Sequence, residues 1–125
     1  MKKFLGVFIF LAFASSSFAS AAKETMHCAY TNDGDGGDEG YEVGIWTKGR
    51  TKSARLTVID PSGARVYAKI SVKSKTVDGK KVFSGKDFTL TLHLDQPKTD
   101  AGYTVATLEA PTEFGGSMNE EIYCQ

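Results

Sequence analysis

Only two imidazoles occur in the chain, His27 and His93, and both fall where apolar and polar residues alternate. A nucleophile relay needs a base beside an activated Ser or Cys, and no such motif accompanies either histidine. Both read as edge or solvent-facing residues, His93 on the same side of its strand as Thr89 and Thr91. No carboxylate stands in an apolar setting that would raise its pKa for general acid chemistry. The residues therefore point away from an enzyme. A small hydrolase with acids gathered from distant segments ranks last among the readings.

The densest oxygen-ligand set runs Asn32-Asp33-Gly34-Asp35-Gly36-Gly37-Asp38-Glu39-Gly40, and hard cations want several such ligands on a flexible backbone. A helix-flanked calcium loop does not fit this spacing. With Asp33 and Asp35 at loop positions 1 and 3, Asp38 takes position 6, where Gly is needed, and Gly44 takes position 12, where Glu is needed. The segment reads as an acidic hairpin loop, with weak calcium binding by Asp33, Asp35, Asp38 and Glu39 as the one metal reading. A strand follows these glycines where a phosphate or dinucleotide loop would lead into a helix, so no cofactor is expected.

Lys2 and Lys3, an apolar run from Phe4 to Phe13 and small residues from Ser15 to Ala22 form the plan of a secretory signal peptide, cut after Ala21, with Ala19 as the competing site. The run is too short to span a bilayer. Residues 1–21 are thus read as signal and 22–125 as one domain, exported to the periplasm or beyond. Thr25-Met26-His27 separates Cys28 from the small-residue segment, which argues against a lipid anchor. An oxidising compartment favours a disulfide between the two cysteines, Cys28 and Cys124, clipping the ends of the mature chain together. In the chain-entropy model a closed loop of about 100 residues contributes about 4–5 kcal/mol.

The elements that must position these residues are strands. Val66, Ala68, Ile70 and Val72 alternate with Arg65, Tyr67, Lys69, Ser71 and Lys73; Phe88 to Leu94 and Ala54 to Val58 alternate likewise. Weaker candidates at 26–31, 41–47, 102–110 and 117–124 bring the count to about seven. The fold class is all-β: a small antiparallel meander, barrel-like or sandwich, with ends clipped by one disulfide. Asp60-Pro61-Ser62-Gly63 suits a three-residue hairpin loop with a bulge. That loop sets Asp60 opposite Ala64, Val58 opposite Val66, Leu56 opposite Ala68 and Ala54 opposite Ile70. Asp78-Gly79 supplies the next turn. Phe83 and Phe88 differ in parity, so a bulge is expected near Ser84-Gly85-Lys86 if both are buried. Trp46, amid Tyr41, Val43 and Ile45, either fills the core or lines a cavity, and filling is the usual case.

Charge is segregated along the chain. Residues 23–47 carry 1 cation and 6 anions, 48–86 carry 11 and 2, and 87–125 carry 1 and 7, giving −5, +9 and −6. In a meander the basic block becomes a basic side. On the expected register, Arg55, Arg65, Tyr67, Lys69, Lys73 and Lys75 share one face, with Arg55 opposite Lys69 and Tyr67 opposite Thr57. Like charges facing each other across strands are unfavourable, which suggests a partner. An exported protein meets anionic envelope components or acidic protein surfaces before nucleic acid. The leading reading is thus a non-enzymatic surface-binding module of the envelope.

Ser62-Gly63-Ala64-Arg65 resembles the Ser-Gly-Ala-Arg-Tyr loop of bacterial inhibitors of C-type lysozyme. That resemblance implies an exported β-barrel with a clipping disulfide, whose loop, here Asp60 to Arg65, enters the lysozyme cleft through Ser62 and Arg65. The likeness covers few residues. Val66 intervenes before Tyr67, and Trp46-Thr47-Lys48-Gly49 precedes the loop where that family has a similar segment after it. Enzyme inhibition is accordingly the alternative function.

Overall fold

The computed structural model describes residues 21–30 and 40–125. Most of the signal segment, and Asp33, Asp35, Asp38 and Glu39, lie outside the described residues. The strands are β1 (Lys23–Ala29), β2 (Gly40–Lys48), β3 (Thr51–Asp60), β4 (Gly63–Val77), β5 (Lys80–Gly85), β6 (Phe88–Leu92), β7 (Thr104–Pro111) and β8 (Ser117–Cys124). Each pairs antiparallel with its sequence neighbour, and β1 pairs with β8, so the meander closes into a barrel. The strand missing from the sequence reading is β5, whose only large apolar residues are Val82 and Phe83, too few to show a period.

Alternation decides what fills the barrel. Val43, Ile45, Ala54, Leu56, Val58, Val72, Phe83, Phe88, Leu90, Leu92, Ala106, Leu108 and Ile122 point inward and are buried. Each large apolar side chain so buried contributes about 1.5–3 kcal/mol. Cys28 and Cys124 lie directly opposite each other in the β1–β8 ladder, with Cα atoms 4.0 Å apart, and their disulfide sits inside the core. His27 and Gln125 exchange backbone hydrogen bonds beside it at 3.0 and 2.9 Å. Covalent and ladder closure therefore coincide at one seam.

The β3–β4 register differs from the expectation in its upper half. Ala54 opposite Ile70, Arg55 opposite Lys69 and Leu56 opposite Ala68 are as read from the sequence. Beyond them, Thr57 pairs with Val66, Val58 with Arg65, Ile59 with Ala64 and Asp60 with Gly63. The loop is thus two residues, Pro61 and Ser62, and the extra residue sits lower, as a bulge at Tyr67. A bulge exchanges the faces of all that follows. Val66 consequently points out and is 49% exposed, while Tyr67 packs against the core.

The parity argument for a bulge near Gly85 also fails. Phe83 pairs with Leu90 and Gly85 with Phe88 around the two-residue turn Lys86-Asp87. Residues directly opposite each other share a face, and a two-residue loop necessarily joins opposite parities, so Phe83 and Phe88 are both buried without a bulge. A Cβ on Gly85 would overlap the Ser71 carbonyl oxygen and stand 2.8 Å from Ile70 Cγ2. Only glycine lets β5 approach β4 so closely there. The Asp78-Gly79 turn is present as expected, with φ of 50° and 77°.

Candidate functional site

Four of the six residues of the sequence-derived patch stand together on the outer wall: Arg55, Lys69, Lys73 and Lys75. Arg55 faces Lys69 across the ladder, and Lys73 and Lys75 continue the row where β4 changes partner from β3 to β5. The Arg55 guanidinium lies 3.8 Å from the centroid of the Trp46 ring, a cation–π contact worth about 0.5–2 kcal/mol. Trp46 is therefore on the outer face and does not fill the core, because it follows the even parity of β2 while Val43 and Ile45 take the inward odd positions. Gly44, the ladder partner of both His27 and Arg55, makes room beside it. A Cβ there would overlap the Glu24 carboxylate and stand 3.0 Å from Trp46 Nε1.

The wall ends on β1. His27 bridges Glu24 at 3.5 Å and Glu42 at 3.2 Å, so the basic surface is bordered by two carboxylates. His93 lies on the outer face, as its parity required, but it is half-buried: Nε2 meets Thr107 Oγ1 at 2.8 Å and Nδ1 is shielded from solvent.

Arg65 and Tyr67 do not join the lysines. The bulge takes both off the face that carries Lys69, and Arg65 stands beside the Asp60–Gly63 turn. Arg65 Nη1 and Nη2 donate to Asp60 and Glu113, each at 2.8 Å. Asp60 also accepts from the hydroxyl and backbone amide of Ser62. Those Ser62 and Arg65 hydrogen bonds hold the Asp60 carboxyl down at about 2, and the contacts with Asp60 and then Glu113 push the Arg65 guanidinium above its ordinary value. Tyr67 donates to the Pro111 carbonyl at 2.8 Å and meets Tyr41 edge to face, centroids 6.3 Å apart. Burial, then the neighbouring Tyr41 and Glu113, push its phenol up to about 12.

The other end of the barrel carries, besides Lys73, cations that the sequence reading did not single out. A bowl of about 650 Å³ is lined by Lys52, Lys81 and Lys98 above Met26, Phe83 and Leu92. Lys81 Nζ lies 5.4 Å from the Phe83 ring centroid. A groove of about 720 Å³ adjoins it through Lys52, with Arg50 and Lys73 as its other cations and Ser71, Ser74 and Ser84 as hydroxyl donors. No Asp or Glu side chain lines either, and the chain-terminal Gln125 stands at the bowl's edge. One signal for these residues exists in the sequence: Lys52 continues the inward parity of Ala54 and Leu56, and Lys81 that of Phe83. A cation on an inward row past its apolar run marks a barrel mouth. Nothing local marks Lys98.

Among the described residues no group of three His, Cys, Asp or Glu side chains is placed to hold a metal ion, and no helix is long and apolar enough to cross a membrane. No known family, curated protein or solved structure matches the chain.

Proposed function

We propose that the mature chain is an exported, non-enzymatic binding barrel that engages an anionic surface of the cell envelope through its basic wall and rim. The observation carrying this reading is the continuity of Arg55, Lys69, Lys73 and Lys75 on the wall with Arg50 and Lys52 on the rim, with no acidic residue lining the rim groove. Clustered like charges repel, and a polyanion relieves that repulsion while releasing its own counterions. Export is supported by the tripartite leader, and the core disulfide is compatible with it. Nucleic acid fits less well, since an exported protein meets envelope components first.

The test is a salt series of the oxidised protein with isolated envelope fractions, run beside Lys69→Glu/Lys73→Glu. Binding that falls with salt and is lost in the variant is expected. Equal binding by the variant, or none at low salt, overturns the reading and turns attention to acidic protein surfaces.

The inhibitor reading has one observation in its favour: Asp60 organises Ser62 and Arg65 into a fixed loop, and a fixed loop loses little entropy on binding. Against it, two carboxylates already engage Arg65, so entry into an acidic cleft requires breaking both contacts. Lysozyme activity unchanged at saturating protein removes this alternative.

A further inference from the structure

We infer that the bowl lined by Lys52, Lys81 and Lys98 binds a single-chain anionic amphiphile, with its head group among the lysines and its first carbons on the apolar floor. This goes beyond the wall reading, since it concerns a small-molecule site at the barrel mouth.

Three features converge on that ligand class. Lys52 comes from β3, Lys81 from β5 and Lys98 from the β6–β7 connection, so the fold brings together cations far apart in the chain. None of the three forms an ion pair with a carboxylate among the described residues, although Lys80 next door is paired with Asp95 at 3.2 Å. The floor, Met26, Phe83 and Leu92, belongs to or packs against the hydrophobic core, and it gives a purely polar anion nothing to bury. The Lys81 ammonium stands over the Phe83 ring, 5.4 Å from its centroid, so a cation directly borders the apolar floor. A volume of about 650 Å³ is in the range of small-ligand pockets, which pair an apolar lining with a few convergent polar groups.

Carboxylate and phosphate monoester heads share the required chemistry, so the probes are sodium decanoate and decyl phosphate below their micellar concentrations. Tail-less acetate and inorganic phosphate, and uncharged decanol, serve as comparators. Isothermal titration of the oxidised protein should give saturable one-to-one binding of the decyl anions, at least about tenfold tighter than the tail-less anions or decanol. Lys81→Met, which keeps the packing on Phe83, and Lys98→Glu, at an exposed position, should each weaken binding about tenfold. The tighter of the two heads tells a fatty acid from a phosphorylated lipid as the source. Decanoate and decyl phosphate binding no tighter than acetate and phosphate, or unaltered by both lysine variants in folded protein, overturns the inference. Envelope binding measured on the same variants keeps the two readings apart, because it depends on Lys69 and Lys73 and can fail while the bowl still fills.

Discussion

The Tyr67 hydroxyl donates to the Pro111 carbonyl oxygen at 2.8 Å, joining β4 to β7, two strands that share no ladder. The contact exists because the bulge at Tyr67 turns this side chain inward. It ties the splayed upper half of β4, which has β3 as its only ladder partner there, to the far wall.

Replacing Tyr67 by Phe should lower stability by about 1 kcal/mol through the lost hydrogen bond. Val66→Lys should change stability by no more than about 0.5 kcal/mol, as substitutions at exposed positions do. A register without the bulge predicts the reverse order. Urea midpoints of the two variants decide between them.

Alkaline pH should act through the same residue. The Tyr67 phenol is held up to about 12 from an ordinary 10.0. A group whose folded-state pKa is raised stabilises fully below its unfolded value and loses that contribution as pH rises through the folded one. Wild-type stability should therefore drop between about pH 10 and 12 more steeply than that of Tyr67→Phe, with the latest tyrosine absorbance step missing in the variant.

Acid should act at the opposite sign through Asp60, held down at about 2 from 3.8 by Ser62 and Arg65. Its contribution is complete above the unfolded value and disappears as pH falls through the folded one. Melting temperature should fall between about pH 4 and 2 in the wild type, with a shallower slope in Asp60→Asn. Equal slopes would mean that the Asp60–Arg65 contact adds no stability in solution.

The disulfide should dominate global stability. Cys28 and Cys124 are 96 positions apart, and a loop near that size is worth about 4–5 kcal/mol by chain entropy, a large part of an ordinary domain's total. Cys28→Ala/Cys124→Ala should lower the unfolding free energy by that amount, with a steeper urea dependence because the unlinked denatured chain exposes more surface. Both cysteines are almost fully buried, 0% and 1% exposed, so thiol reductant without denaturant should react slowly.

Much of this architecture was legible in residue order. The inward rows Ala54-Leu56-Val58 and Phe88-Leu90-Leu92 announce themselves by period two, since the pleat sends successive side chains to opposite faces. The Asp78-Gly79 turn announces itself by residues that tolerate positive φ, and the disulfide by two cysteines in a chain whose leader has the plan of a signal peptide. β5 did not, because two apolar residues make no period. The candidate patch was half legible: the pairing of Arg55 with Lys69 was correct, while Arg65 and Tyr67 were assigned to a face they do not occupy.

By itself, then, the sequence determined the strand class, the buried rows, the cysteine pair and a basic middle block, all properties readable within one strand or from composition. Tertiary structure decided closure into a barrel, the site of the β4 bulge and the meeting of Lys52, Lys81 and Lys98. The physical reason is range. A pleat repeats locally, but where a strand slips by one residue depends on what the far wall offers, here Tyr41, the Pro111 carbonyl and Glu113. Likewise, which cations share a mouth depends on how strands distant in the chain end beside one another.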